Sequence, residues 1–360
     1  MTAPRRVRRV AVPALVLAAC AGITACVTST AWRGAPSDHF DGAHFLTPAP
    51  FDIGPLDLLR YWRESTPGAW TRDLSIPPGP KPQASTAAGE LRVTFVNHAT
   101  VLIQSDGVNL LTDPIWSDRA SPLSFAGPER YRPPAIDFDD LPRIDAVLVS
   151  HNHYDHFDLP TLRRLEAAHH PAFLVPPGDG QRLRDEGFAT VVELDWWQSY
   201  RLPNGCAIHA APAQHWSSRA WPGDRNRSFW LAYVVETVGG PVYFAGDTGY
   251  GPHFRRAFEH YGPMRLALLP IGAYLPRWLT EYQHVDPAQA VQAHVDLEAV
   301  RSLGIHYGTF DLADDGQTQP VTDLAAAVAA KVLRPTSFTA AEFGVPDAVH
   351  AMSPLKPCPP

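Results

Sequence analysis

Eight consecutive residues, His151, Asn152, His153, Tyr154, Asp155, His156, Phe157 and Asp158, follow the apolar run 144–149. Three imidazoles and a carboxylate fall within six positions at the end of a run that reads as a buried strand, and this is a ligand set for a transition metal. Without a cation, so many ligand-type side chains at a strand end would repel or stay poorly solvated. A chain leaving the sheet can aim His151 and His153 at one ion, and Asp155 and His156, one turn further on, at a second. Imidazole with carboxylate suits zinc better than calcium or magnesium, while iron and manganese fit by ligand type. Further donors stand at the ends of other apolar runs: His215 after Ala213 and Gln214, Asp247 after 242–246, and His306 after Gly304 and Ile305. A carboxylate can offer one oxygen to each of two ions, which suits Asp247 to bridging, and Gly246 and Gly249 let its loop approach closely.

Strand-like runs that could carry these donors lie at 91–96, 101–104, 108–112, 144–150, 172–175, 191–194, 206–211, 229–237, 242–245 and 266–270. Helical patterns follow at 159–169, 180–186, 252–261, 287–303 and 321–333. Sheets first and helices after, twice over, predict an α/β fold of two mixed sheets packed face to face with helices outside. The loops between strand ends and helices then carry the chemistry.

The 360 residues are 45% hydrophobic and 19% charged, the balance of a soluble globular enzyme. Residues 1–26 read as a targeting segment: Arg5, Arg6, Arg8 and Arg9 form a basic region, an apolar stretch follows, and the small-residue patterns ending at Cys20 and Cys26 resemble bacterial lipoprotein cleavage boxes. Either cysteine is a lipidation candidate, so the expectation is an exported protein anchored at a periplasmic or extracytoplasmic membrane face. Loss of those arginines makes a chain of net charge −7 more acidic still, which argues against a nucleic-acid partner but not against lipid. Residues 27–89 form a proline-rich arm or spacer with one helical patch near 56–63, residues 90–345 the domain that carries the strand-like runs and the donors, and residues 346–360 a proline-rich tail. Cys206 reads as a small buried hydrophobe, a bridge to Cys358 being possible but unsupported by spacing. Oligomeric state is not legible.

The word HNHYDH, then a histidine, an aspartate after an apolar strand and a final histidine, resembles the metallo-β-lactamase superfamily of αββα metallohydrolases. The words TDPIW (112–116), FAGDTGYGP (244–252), LPIGAYLPRW (269–278), YQHVDP (282–287) and IHYGTF (305–310) resemble its N-acylphosphatidylethanolamine-hydrolysing phospholipase D branch. The likeness spans about residues 91–345. It implies a four-layer αββα sandwich with an internal pseudo-two-fold. It also implies two zinc ions per chain, one held by His151, His153 and His215, the other by Asp155, His156 and His306, with Asp247 bridging. His284, in the YQHVDP word, is implied near the substrate phosphate, orienting or protonating. Tyr274 and Trp278 are candidate substrate contacts, and Asp155 a candidate proton acceptor. The implied reaction is attack of a metal-activated hydroxide on the phosphorus of a membrane phospholipid, giving phosphatidic acid and an N-acylethanolamine. A lactone, carboxylic ester or soluble phosphodiester is the alternative substrate, and a non-catalytic zinc-binding lipoprotein the third reading. Seven converging donors disfavour the last, because a structural site closes with four ligands.

Other residues carry weaker readings. His98 lies between two strands, either near the metals or bonding to backbone in a turn. Asp113 reads as a turn residue or as support for a metal-bound histidine. Trp196, Trp197, Trp216, Trp221, Trp230 and Trp278 line an acyl groove or pack the core. Arg119, Arg130 and Arg132 meet lipid phosphate or form a solvated face.

Overall fold

The computed structural model describes residues 30–47, 53–220, 223–355 and 358. A first sheet contains β1 (Leu91–Asn97), β2 (Thr100–Ser105), β3 (Val108–Thr112), β4 (Ala146–Leu148), β5 (Ala172–Val175) and β6 (Val191–Glu193), side by side in that order. A second contains β7 (Ser199–Arg201), β8 (Ala207–Ala211), β9 (Ala232–Val235), β10 (Val242–Phe244), β11 (Leu266–Pro270), β12 (Ser302–Ile305) and β13 (Phe338–Ala340). The last strand, β14 (Pro346–Ala348), returns to the first sheet and pairs antiparallel with β1.

Each half repeats one plan. An antiparallel meander, β1–β2–β3 or β7–β8–β9–β10, leads into parallel strands, β4–β5–β6 or β11–β12–β13. Helices cover the outer faces: α2 (Leu159–His169) and α3 (Gly180–Asp185) on the first sheet, α4 (His253–Tyr261), α6 (Pro287–Asp296) and α7 (Gln319–Ala330) on the second. The short α5 (Arg277–Thr280) and the arm helix α1 (Pro55–Glu64) lie outside these layers. This is the four-layer sandwich.

Strand periodicity builds the layers. In β4, Ala146 and Leu148 face the space between the sheets, whereas Val147 and, just beyond, Val149 face α2. Ala172 and Leu174 alternate with Phe173 and Val175 in β5 in the same way. Strands buried on both faces read as continuous apolar runs, so they stand out in the sequence.

The short strands do not. The helical pattern 287–303 ends at Asp296, and Ser302–Ile305 is a strand. The break includes Glu298 at φ 45°, a left-handed position usually marked by glycine, so the sequence carries no stop signal there. β14 starts at Pro346, inside the segment assigned to a tail. A proline is tolerated there because β14 is the edge strand. Cys206 is not a free hydrophobe: it is bonded to Cys358, with Cα atoms 4.8 Å apart, which ties the end of the chain to the second sheet. The arm lies along the domain through backbone bonds such as Phe45 N–H to Asn226 O, Gly68 N–H to Asp314 O and Gly79 N–H to Ala135 O. Residues 1–26, with Cys20 and Cys26, lie outside the described residues, as does Trp221.

Candidate metal centre

All seven sequence-predicted donors meet at one edge of the sandwich, where β4, β8, β10 and β12 end. After β4 the chain makes one tight turn in which the N–H groups of His156 and Phe157 both donate to His153 O, at 3.1 and 2.8 Å. That turn separates His151 and His153 from Asp155 and His156. Arg219 fixes the turn from behind: its Nη1 donates to Asn152 O at 2.8 Å and to Phe157 O at 3.0 Å, and its guanidinium lies 3.9 Å from the centre of the Tyr154 ring.

The donors form two adjoining groups. His153 Nδ1 lies 2.8 Å from His151 Nε2 and 3.3 Å from His215 Nε2, so three ring nitrogens converge on one point. Beside them His156 Nε2 lies 3.1 Å from Asp247 Oδ2 and 3.2 Å from Asp155 Oδ2, and His306 Nε2 lies 3.2 Å from Asp247 Oδ1. Asp247 also reaches towards the first group, 4.0 Å from His215 Nε2. Its loop needs the two glycines: a Cβ on Gly246 (φ 58°) would sit 2.5 Å from Ser150 Cβ, and one on Gly249 would fall on the Tyr282 carbonyl.

The far side of each ring sets its tautomer. His215 Nδ1 donates to Gln283 O at 3.0 Å and His156 Nδ1 to Asp113 Oδ2 at 2.6 Å. Ser150 Oγ donates to Asp113 Oδ2 at 2.6 Å and accepts from His151 Nδ1 at 2.9 Å. These bonds leave the Nε2 lone pairs of His151, His156 and His215 facing the site, as metal ligation requires. Asp113 therefore supports two of the rings from behind. His98 joins the site: its Nε2 donates to Asp155 Oδ2 at 2.8 Å, and its carbonyl accepts from His306 N–H at 2.6 Å. His98 (φ 46°), Asp113 (φ 31°) and His306 (φ 61°) all hold left-handed backbone, strain of the kind that gathers at functional sites.

Electrostatics agree with a cation site. Burial pushes His153 down to about 4 and His215 to about 3, and His151 well below its usual range, so these rings are neutral. Burial also acts against charge on His156 and His306, yet neighbouring carboxylates overcome it, Asp247 foremost, and lift His306 to about 9. Asp155 and Asp247 are held well below the carboxylate range by those imidazoles despite burial. The carboxylates thus call for positive charge, which the protein alone supplies only by protonating two rings. Meanwhile His306 Nε2, His156 Nε2 and Asp247 Oδ1 are buried without a hydrogen-bond partner. Such orphaned atoms, converging from separate strands, fit a divalent metal.

The site opens into a cavity of about 220 Å³ lined by His153, Asp155, Asp247 and His284, by Thr280 and Gln283, and by Tyr61, Trp216, Leu275, Leu279 and Leu312. His284 faces this cavity with Nδ1 3.9 Å from Asp247 Oδ2, and burial lowers it to about 3. The remaining expectations need correction. Tyr274 is turned away from the cavity, its hydroxyl donating to Asp323, because the flanking Ala273 and Leu275 take the cavity-facing positions. Trp278 lies under the guanidinium of Arg60, 4.0 Å away, and is not part of the cavity lining. Arg130 is no solvated residue: it is buried and donates to the carbonyls of Ile115 and Ser117. Trp230 is core, and Trp216 alone of the described tryptophans named above reaches the cavity. Tyr61 and Arg219 had no signal in the sequence, since each acts across a long separation.

The family model for the beta-lactamase superfamily domain matches residues 108–307, a span that contains every donor of both groups. The chain belongs to the metallo-β-lactamase superfamily. Within that superfamily it groups with the N-acylphosphatidylethanolamine-hydrolysing phospholipase D-like branch. It is 38% identical over 266 residues to N-acyl-phosphatidylethanolamine-hydrolyzing phospholipase D 1 of Caenorhabditis elegans, covering 71% of this chain and 74% of that protein. An uncharacterized protein of Mycobacterium tuberculosis is 40% identical over 263 residues, covering 70% and 69%. A metallo hydrolase from the archaeon Ignicoccus hospitalis shares the superfamily fold, with a TM-score of 0.55 at 23% identity over 72% of this chain and 99% of that one. The protein is a metal-dependent hydrolase.

Proposed function

We propose that this protein is a binuclear zinc phosphodiesterase that cleaves N-acylphosphatidylethanolamine-type phospholipids between phosphorus and the head-group oxygen. The observation that carries this reading is the shape of the site. His153 of one donor group, Asp155 of the other and the shared Asp247 line a single cavity together with Trp216, Leu275, Leu279 and Leu312, a mixed lining that suits a phosphodiester attached to hydrocarbon. The name of the Caenorhabditis elegans relative supports the same substrate class.

His151, His153 and His215 would hold one zinc, and Asp155, His156 and His306 the other, with Asp247 between them. When bound, the metals supply Lewis acidity, lowering the pKa of water towards neutrality and offsetting the negative charge that develops on phosphoryl and leaving oxygens. The chain's own groups do the rest. Asp155, which borders the cavity, accepts the proton of the attacking water through a carboxylate oriented by His98. His284, neutral and facing the cavity, donates a hydrogen bond to a phosphoryl oxygen. The leaving head-group oxygen takes up a proton as the phosphorus–oxygen bond breaks, so that water, phosphodiester and products balance as phosphatidic acid and N-acylethanolamine. Tyr61, Trp216, Leu275, Leu279 and Leu312 exclude water around the reacting bond.

Export and lipid anchoring are proposed on separate grounds: the basic and apolar leader ending at Cys20 or Cys26, and the Cys206–Cys358 disulfide, a bond that persists in oxidising compartments. The test measures zinc per chain in the purified protein and follows N-acylethanolamine release from the phospholipid, beside a lactone and bis(p-nitrophenyl) phosphate. Two zinc ions with turnover of the phospholipid are expected. Turnover of the lactone alone would overturn the substrate assignment.

A further inference from the structure

Helix α1 lies beside the cavity mouth and buries none of its ten residues. Tyr61 is its link to the site: the ring lines the cavity and the hydroxyl donates to Asp314 Oδ1 at 3.1 Å. Leu56, Leu59 and Trp62, spaced three apart and so along one stripe of the helix, are 80%, 49% and 78% exposed. A second apolar projection is the loop after Ala120, where Phe125 is 78% exposed. That loop is rooted in the small cluster of Ile115, Ala120 and Phe310, against which the cavity residue Leu312 packs. Helix α1, which adjoins the cavity through Tyr61, and the loop at Phe125 thus both present large apolar side chains to solvent. Scattered single hydrophobes are ordinary, but a tryptophan and two leucines aligned on a helix with no buried face mark a contact surface.

We propose that α1, with Phe125 as a second apolar contact, seats this protein on the surface of a phospholipid bilayer and holds the cavity mouth against it. The proposal rests on the phospholipid reading of the site and names how that substrate is reached. The cavity, about 220 Å³, is smaller than the roughly 300–1,000 Å³ of pockets that enclose a drug-sized ligand. It accommodates a head group and not several acyl chains, so the chains stay in the membrane while the head group enters. Arg63 follows Trp62 directly, and on interfacial helices such a cationic stem lies along the apolar boundary while its charge reaches phosphate; Arg60 is engaged instead, over the Trp278 ring and paired with Glu64. Asp57 and Glu64 balance those two arginines. In an acidic chain, that neutral helix complements a zwitterionic surface better than a strongly anionic one.

The test uses the full chain with Cys20→Ser and Cys26→Ser, so that no attached lipid contributes. Vesicles of phosphatidylcholine with brominated acyl chains should quench part of the tryptophan emission, and Trp62→Phe should remove that component. In the variant Leu56→Ser/Leu59→Ser/Trp62→Ser, hydrolysis of N-acylphosphatidylethanolamine in phosphatidylcholine vesicles should fall by about tenfold or more, while hydrolysis of bis(p-nitrophenyl) phosphate stays unchanged. Quenching that survives Trp62→Phe would overturn the proposal, as would equal loss of both activities, which would make α1 structural. A wild-type dimer that the triple variant converts to monomer would also overturn it, assigning the face to a second copy. Quenching lost with Trp62 in a protein that hydrolyses no phospholipid would leave the surface standing and remove the substrate reading.

Discussion

The two halves of the metal centre lie side by side yet are chemically unlike. His151, His153 and His215 bring three imidazoles and no carboxylate, and burial keeps them neutral. Asp155, His156 and His306 adjoin Asp247 in a group whose two carboxylates are ionised and hold positive charge on the imidazoles. The first half is ready to ligate as it stands. The second has an excess of negative charge that protons balance until a cation does. Asp247 couples the halves, since its Oδ2 lies 3.1 Å from His156 Nε2 of the second and 4.0 Å from His215 Nε2 of the first. Their supports differ as well. Asp113 backs both halves through His156 and Ser150, whereas Asp179 stands behind the first half alone, accepting from Asn152 Nδ2 at 3.1 Å.

Breaking the coupling should have the largest effect. Asp247→Asn is isosteric but removes the shared charge, and hydrolysis should fall by more than the ~100-fold typical of changes behind a ligand, with the metal content falling too. Retention of both ions and of activity in this variant would mean that the halves work independently. Next in size, His215→Ala and His306→Ala each remove one ligand from one half. Metal analysis should find each variant short of about one ion per chain, the remaining ion still bound, because each half has its own residual ligands. Loss of both ions from either variant would show one cooperative site.

The smallest effect concerns support of the first half and is a matter of stability. Burial raises Asp179 to about 7 from an ordinary 3.8. A carboxyl raised in the folded state contributes stability that is complete below the unfolded value and lost as pH rises through the folded one. Stability should therefore decline between about pH 4 and pH 7, by at most roughly 4 kcal/mol from this group. Asp179→Asn should flatten that slope in urea titrations at pH 5 and pH 8, with zinc content unchanged. An identical slope in the variant would remove Asp179 as its source.

Much of the site was legible because its donors are short-range neighbours of strand ends. HNHYDH follows β4 directly, and the apolar runs before Asp247 and His306 mark strands covered on both faces. His98 left two readings open, because a turn histidine between β1 and β2 bonds to backbone or to a metal group with equal ease. Only the approach of β12 brings His306 N–H onto its carbonyl, and only the turn after β4 brings Asp155 onto its ring. Tyr274 and Trp278 look like substrate contacts in their sequence word, yet one turns to Asp323 and the other lies under Arg60 of the arm.

By itself, the sequence determined which atoms can bind a metal and that they sit at strand ends, since residue type and a period of two are local properties. Only the tertiary structure decided that the donors divide into a neutral and a charged half, that Cys206 meets Cys358 across 152 residues, and that the arm completes the cavity with Tyr61. Those outcomes depend on burial and on contacts between distant segments. Both are set by how the two sheets pack together and by which side chains the packing leaves facing the opening.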